Sequence, residues 1–224
     1  MMPGRIRVVV SIRLTAQGVS LAAALLFLLA TDSPAQVLVK RYAEARLAAQ
    51  QRAMWILGAW AGASILSGVG LSLQSENTVL RYWGFQNLGW GAVNAAIASA
   101  ALLGLGSQLA ALDTLGTDGK ALLQELSEEQ NFSKILLVNV GLDVGYMLVG
   151  GALAWAARNG LSRSDEFFGS GLGIIVQGAF LLFFNIWQVL ASSARISDLE
   201  QALRPMLSLK LTPSDAGLML TLLF

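Results

Sequence analysis

The sequence contains no cysteine and no histidine. Without cysteine the chain forms no disulfide and offers no thiol nucleophile or thiolate metal ligand. Without histidine it lacks the commonest general base and metal ligand. Zinc held by histidine, haem held by histidine or cysteine and Ser-His-Asp hydrolysis are therefore excluded within one chain. We expect a protein that is not an enzyme, with no cofactor, no metal site and no catalytic residues.

Charged residues are also scarce. They make up 13% of the 224 residues, whereas apolar residues make up 55% and the mean hydropathy is +0.61. Soluble domains carry about 25% charged residues, so much of this surface is expected to face a medium other than water. The formal net charge of +1 gives no electrostatic argument for nucleic acid as a partner.

The first 35 residues have the layout of a secretory signal peptide. An arginine-containing start is followed by an apolar core from about residue 19 to 31 and then by TDSPAQ, where cleavage is expected after Ala35. The arginines are Arg5, Arg7 and Arg13. The alternative is an uncleaved signal anchor, since the apolar core is short but rich in leucine.

The rest of the chain is dominated by long apolar runs. Residues 36–52 predict a short extramembrane helix, and residues 53–193 predict a transmembrane domain of four helices, because each run is long enough to cross a bilayer. The four runs are residues 53–75, 82–112 (with a core near 87–107), 133–158 and 172–192. The predicted fold class is an all-α membrane protein, a four-transmembrane-helix bundle. The alternative is a buried helical bundle of a soluble protein.

Two segments outside these runs have patterns of their own. Residues 108–132 predict an acidic loop with an amphipathic helix near 119–130, in which LSEEQ (126–130) is expected to be a solvated helix face. Residues 194–224 predict an extramembrane tail. Within it, Leu207, Leu209 and Leu211 alternate with polar residues before a turn at 213–217, which is typical of a β-hairpin.

The predicted location is the bacterial inner (plasma) membrane. A cleaved signal peptide puts the mature N-terminus outside, and four spans return the C-terminus to the same extracytoplasmic side. The basic residues Lys40, Arg41, Arg46 and Arg52 oppose this orientation, since cytoplasmic segments usually carry the excess of lysine and arginine.

An aspartate lies inside the third run. Asn139, Asp143 and Tyr146 share one face of the predicted helix at spacings of four and three residues. A charged carboxylate at the membrane centre costs about 2.5–3.5 kcal/mol on insertion scales, so Asp143 is expected to face the bundle interior and to find amide donors. The predicted polar cluster consists of Asp143, Asn139, Tyr146, Asn94, Gln177 and Asn185.

This cluster has a structural and a functional interpretation. Polar side chains bond helices together in lipid, and small residues let helices approach closely; the predicted packing glycines are Gly58, Gly62, Gly141 and Gly145. The functional interpretation is that Asp143 exchanges a proton or binds a cation or polar ligand. Catalysis by a pair of acid and base groups has no second member, because the spans contain no other carboxylate.

Four motifs in one order resemble a small family of uncharacterised bacterial integral membrane proteins with four helices. The motifs are MWILGAWAGASILSG, YWGFQNLGWGAVNAAIA, LLVNVGLDVGYMLVGG and GLGIIVQGAFLLFFNIW, within residues 45–193. The family often has a histidine in the second motif, where this chain reads Phe85-Gln86-Asn87. It often has an aspartate in the fourth, where this chain has Asn185. The resemblance implies a membrane bundle and no known activity.

The sequence therefore favours a non-enzymatic membrane protein that is a structural, interaction or assembly partner. Its expected surroundings are the lipid bilayer and either further copies of itself, as a homo-oligomer, or another membrane protein. The alternative is a small transporter or channel-like protein with a proton- or cation-linked site at Asp143.

Overall fold

In the computed structural model, the described residues are 34–73, 76–112, 119–160, 162–204, 210–214 and 217–221. Four helices follow one another: α1 Pro34–Ser72, α2 Thr78–Ala110, α3 Gly119–Arg158 and α4 Ser164–Leu203. Each is long and apolar enough to cross a membrane, as a multi-pass membrane protein requires. The expected signal peptide lies outside the described residues except for positions 34 and 35, which begin α1.

The helices are longer than the apolar runs. They contain 39, 33, 40 and 40 residues, which corresponds to about 50–60 Å at 1.5 Å per residue, against about 30 Å for the hydrocarbon core of a bilayer. The extramembrane helix expected at 36–52 and the amphipathic helix expected near 119–130 are continuous with the first and third spans. The fourth helix likewise continues past residue 194 to Leu203. The helices continue because none of these three junctions contains glycine or proline.

Successive helices run in opposite directions. Helix α1 packs on α2, and α3 packs on α4. The two pairs meet where α2 contacts α4. The start of α1, the end of α2, the start of α3 and the end of α4 therefore lie at one end of the molecule. We call residues 37–52, 120–133 and 193–203 at this end the extension. We call residues 53–72, 78–110, 134–158 and 164–192 the bundle.

The extension has an apolar core. Val39 from α1, Leu122 from α3 and Leu199 and Leu203 from α4 are all at most 3% exposed and contact one another. Tyr42 packs against this core and donates a hydrogen bond from its hydroxyl to the backbone carbonyl of Asp198, at 3.2 Å. Apolar burial therefore holds three helices together beyond the expected spans.

Two ion pairs, each between a buried glutamate and a partly buried arginine, lie at the base of the extension. Arg46 donates from Nε and Nη2 to the two carboxylate oxygens of Glu125, at 3.0 and 3.3 Å. Arg195 donates in the same forked manner to Glu129, at 3.1 and 2.7 Å, and Ser192 adds its hydroxyl. The segment 126–130 is thus not simply a solvated face, because Glu129 is 1% exposed. The expectation of a solvated face was wrong for Glu129, since its partner Arg195 lies on α4, far away in the sequence.

The bundle interior is more polar, although it too contains an apolar cluster, formed by Ala53, Leu57, Ala98 and Phe184. Its buried positions include amides and hydroxyls, whereas large apolar side chains are exposed, such as Leu103 at 80%, Phe183 at 74% and Leu148 at 69%. The buried polar residues are Ser64, Asn87, Asn94, Asp143, Gln177, Asn185, Gln188 and Ser192. A surface of this kind is suited to lipid, where polar groups must be satisfied inside.

The C-terminal region contains two short strands, β1 Lys210–Ser214 and β2 Gly217–Thr221. They pair antiparallel, with Lys210 opposite Thr221 and Ser214 opposite Gly217. A lone two-stranded hairpin is marginal in water. We therefore predict that this tail rests on a neighbouring surface.

Candidate functional site

The bundle interior contains a network of amides and hydroxyls that joins three helices. Gln177 of α4 is at its centre: its Oε1 accepts from Trp60 Nε1 at 2.8 Å, and its Nε2 donates to Ser64 Oγ at 3.0 Å and to Asn87 Oδ1 at 3.2 Å. Asn87 of α2 in turn donates to Ser67 Oγ of α1 at 3.1 Å. We call these five residues the amide network; its hydrogen bonds fasten α1, α2 and α4.

Asp143 lies below this network, closer to the extension. Its side chain is buried, with the residue 3% exposed, and its Oδ2 accepts a hydrogen bond from Asn185 Nδ2 at 2.8 Å. Asn185 comes from α4, so this contact joins α3 to α4. The aspartate therefore faces the interior of the bundle, where an amide compensates part of the cost of burying a carboxyl group.

Two amides close to Asp143 lack partners. Asn94 Nδ2 and Gln188 Nε2 are buried and have no hydrogen-bond partner in the described part of the chain, and each residue is 2% exposed. A buried donor left unsatisfied costs about 1–3 kcal/mol. The amide network, by contrast, pairs the side-chain nitrogen of both Asn87 and Gln177.

These unpaired amides border a cavity of about 270 Å³ that we call the cleft. All four helices contribute to its wall, but its polar lining comes from α2, α3 and α4 and consists of Asn94, Asn139, Asp143, Tyr146, Asn185 and Gln188. Trp90 of α2 also lines it and packs edge-on against Tyr146 of α3, with ring centroids 4.9 Å apart.

Five of the six residues predicted as a polar cluster line this cleft: Asp143, Asn139, Tyr146, Asn94 and Asn185. Gln177 does not, because it belongs to the amide network. It lies eight residues before Asn185, about 12 Å along α4. Side chains also tilt towards the N-terminus of their own helix, so Gln177 and Asp143, on antiparallel helices, lean away from each other.

The glycines predicted to pack helices together need correction. A methyl group built on Gly62, Gly141 or Gly145 meets no described atom within 4 Å, and one on Gly58 makes an ordinary contact with Ala98 at 3.8 Å. The close approaches occur elsewhere. A methyl group on Gly150 of α3 would lie 2.7 Å from the carbonyl oxygen of Gly171 on α4. The G-x-x-x-G spacing alone does not reveal which face of a helix meets a neighbour.

The predicted cluster omitted residues that complete the site. Gln188 shares a helical face with Gln177 and Phe184 by spacing, so its burial was readable, but its place beside Asp143 depends on how α3 and α4 pair. The sequence pattern did not predict a role for Trp60 or Ser64, because a single polar atom in an apolar run is common in membrane-spanning segments.

Comparison with protein-family models identifies the family of this chain. Residues 56–186 match a family of unknown function, DUF6992, and this match covers more than half of the chain. The chain belongs to that family. Comparison with curated proteins and with solved structures gave no significant match.

Proposed function

We propose that the chain is a non-enzymatic multi-pass protein of the bacterial plasma membrane that acts by binding, as an interaction or assembly partner. The observation that carries this proposal is the contrast between exposed leucines and buried amides in the bundle, joined without a break to a packed extension with charged residues. The bundle is suited to lipid, and the extension offers a rigid surface outside it.

A binding role is supported by how the charged residues of the extension are used. Arg46, Glu125, Glu129 and Arg195 are engaged in buried pairs, which order the three helices. Other charged side chains, such as Arg41, Glu44 and Glu128, are exposed on the outside. Exposed charges on an ordered surface favour selective contacts with a partner. That partner is a second copy of this chain or another membrane protein.

A non-enzymatic role is supported by the composition of the cleft. Among the described residues that line it, Asp143 is the only carboxyl group, and the other polar groups are amides, the Tyr146 hydroxyl and the Trp90 indole N–H. General acid–base chemistry commonly uses two groups whose pKa values are set apart by their surroundings. Because amides do not titrate, they cannot supply the second group beside Asp143.

The interaction proposal is tested by charge reversal on the extension. Arg41→Glu with Glu128→Lys should shift the protein, extracted in mild detergent, from a complex to the mass of a single chain plus detergent. The matched control is Glu76→Lys with Arg158→Glu at the opposite end of the molecule, which should leave the complex intact. A wild-type protein that runs as a single chain in the same detergent and crosslinks to no second copy and to no other protein in native membranes would contradict the proposal.

The proposed orientation places the extension outside the cytoplasm, which follows from the signal peptide expected at residues 1–35. The distribution of basic residues opposes it. Between residues 37 and 204, eight basic residues lie in the extension or directly next to it: Lys40, Arg41, Arg46, Arg52, Lys120, Lys134, Arg195 and Arg204. Three lie at the opposite end of the molecule: Arg81, Arg158 and Arg163. A C-terminal alkaline phosphatase fusion should be active. An inactive phosphatase together with a fluorescent C-terminal GFP fusion would reverse the orientation.

A second candidate function is a small transporter or channel-like protein with a proton- or cation-linked site at Asp143. The cavity beside this carboxyl group favours it. Asp143→Asn keeps an acceptor for Asn185 but removes the titrating group. The binding proposal expects equal proton and cation flux through liposomes containing the wild type and this variant. A flux that the wild type supports and Asp143→Asn abolishes would establish the transport function instead.

A further inference from the structure

The cleft lies where two neighbouring helices fail to meet. In the described part of the chain, no Cα atom of α2 lies within 8 Å of one of α3, although each helix packs along α4. Four side chains that line the cleft are also half-exposed on the outer surface: Val93 and Ile97 on α2, and Ile135 and Leu142 on α3. The cleft therefore has a mouth between α2 and α3, on the surface assigned to lipid.

The cleft has an apolar entrance and a polar inner end. Trp90 and Tyr146 contact each other across the gap and bound the cleft on the side away from the extension. Asn94, Asp143 and Gln188 line its buried part, and the amide nitrogens of Asn94 and Gln188 have no hydrogen-bond partner among the residues that the structure describes. Both unpaired groups are hydrogen-bond donors, so what completes them must present acceptor atoms.

These features specify a ligand. We propose that the cleft binds a lipid-soluble molecule with a carbonyl oxygen in its head and an apolar tail, which enters sideways from the bilayer. The head accepts hydrogen bonds from Asn94 and Gln188, and the tail leaves through the apolar mouth. A cavity of about 270 Å³ holds a compact head rather than a whole lipid. This inference rests on the bilayer location proposed above.

Such a carbonyl group has two sources in a membrane, a quinone ring and an acyl ester, which a binding experiment can separate. The full chain is assembled into nanodiscs of ether-linked phospholipids, which carry no ester carbonyl. Three probes are then added: decylubiquinone with ring carbonyls, 1-decanoylglycerol with an ester carbonyl, and decylbenzene with neither. Binding is measured by equilibrium dialysis against empty nanodiscs.

At least one of the two carbonyl probes should bind in excess of decylbenzene, and the stronger one identifies the source. In Asn94→Leu/Gln188→Leu, which removes both donors and keeps side chains of broadly similar size, its affinity should fall by about tenfold or more, since two hydrogen bonds are lost. The matched control is Gln51→Leu/Asn131→Leu, the same replacements at exposed positions, which should bind as the wild type does.

A second variant keeps the test valid if the double variant does not fold. Because the chain has no cysteine, Val93→Cys creates a unique thiol at the mouth, and a bulky maleimide attached there should abolish binding of the carbonyl probe. The inference is overturned if neither carbonyl probe binds better than decylbenzene, which would mean that water alone completes the donors, or if binding survives the maleimide. A chain that does not enter nanodiscs would instead overturn the bilayer location.

Discussion

The bundle and the extension belong to the same helices, yet their interiors differ in kind. In the extension, Val39, Leu122 and Leu199 form an apolar core. In the bundle, Asn94, Gln177 and Gln188 occupy equally buried positions while leucines face outward. At the proposed bilayer location this difference follows from the surroundings, because water drives apolar groups into the interior of the extension, whereas lipid requires polar groups to be satisfied inside the bundle.

The largest expected effect comes from the ion pair between the two regions. Glu129→Ala leaves the guanidinium group of Arg195 without its carboxylate at a site where Glu129 is 1% exposed. Removing one partner of a buried pair costs about 3–5 kcal/mol, which denaturant unfolding in detergent would measure. The control is Glu128→Ala, its exposed neighbour, with an expected change within about 0.5 kcal/mol. Equal stability of the two variants would show that the pair does not hold the extension.

A charged residue on the outer surface should affect membrane insertion differently in the bundle and in the extension. Leu148 is 69% exposed on the bundle, and Leu123 is 45% exposed on the extension. Leu148→Lys should cost about 3–4 kcal/mol of membrane insertion, since leucine favours the bilayer centre and lysine opposes it. Leu123→Lys should insert as the wild type does. Protease protection of the third span in vesicles measures both, and equal insertion would contradict the comparison.

A smaller effect is expected at the contact between α3 and α4. Gly150→Ala places a methyl group 2.7 Å from the Gly171 carbonyl oxygen, so the helices must separate, at about 1–3 kcal/mol. Gly141→Ala, where no described atom lies within 4 Å, should not destabilise the protein and can stabilise it by up to about 1 kcal/mol through helix propensity. The shift of the thermal unfolding midpoint in detergent measures the difference. A larger fall of the midpoint for Gly141→Ala would mean that the outward face is packed against another molecule.

The smallest effect distinguishes the amide network from the cleft. Gln177→Leu removes three hydrogen bonds to α1 and α2, and interhelical bonds in lipid contribute about 0.6 kcal/mol each on average, so a loss of about 1–2 kcal/mol is expected. Gln188→Leu removes an amide nitrogen that has no partner among the described residues and should leave stability unchanged or raise it, because an unsatisfied buried donor costs about 1–3 kcal/mol. Unfolding of the two variants in the same detergent compares them, and the reverse order would be incompatible with the described contacts.

Much of this architecture could be read from the sequence, for identifiable reasons. Uncharged runs such as 53–75 mark the four long apolar helices because lipid excludes charge. The spacing of Asn139, Asp143 and Tyr146 places them on one face because helical geometry is regular. Burial of Asp143 follows from the cost of exposing a carboxyl group to lipid.

The remainder depends on how separate helices pair, which the sequence does not state. Glu129 appeared solvated because its partner Arg195 is 66 residues away. Gln177 joined the amide network rather than Asp143 because the offset between α3 and α4 sets their relative heights. Gly62, Gly141 and Gly145 were misassigned for the same reason, since the sequence does not show that α4 approaches α3 at Gly150 and not at Gly141.

Accessibility of spin labels tests the central claim most directly. The cysteine-free chain accepts single labels at Leu148→Cys on the bundle and Glu128→Cys on the extension, both exposed positions. In liposomes, the label at 148 should collide readily with oxygen and rarely with a water-soluble nickel chelate, and the label at 128 should show the opposite preference. A label at 148 that collides freely with the nickel chelate would show that the outward leucines face water, and the account would be wrong.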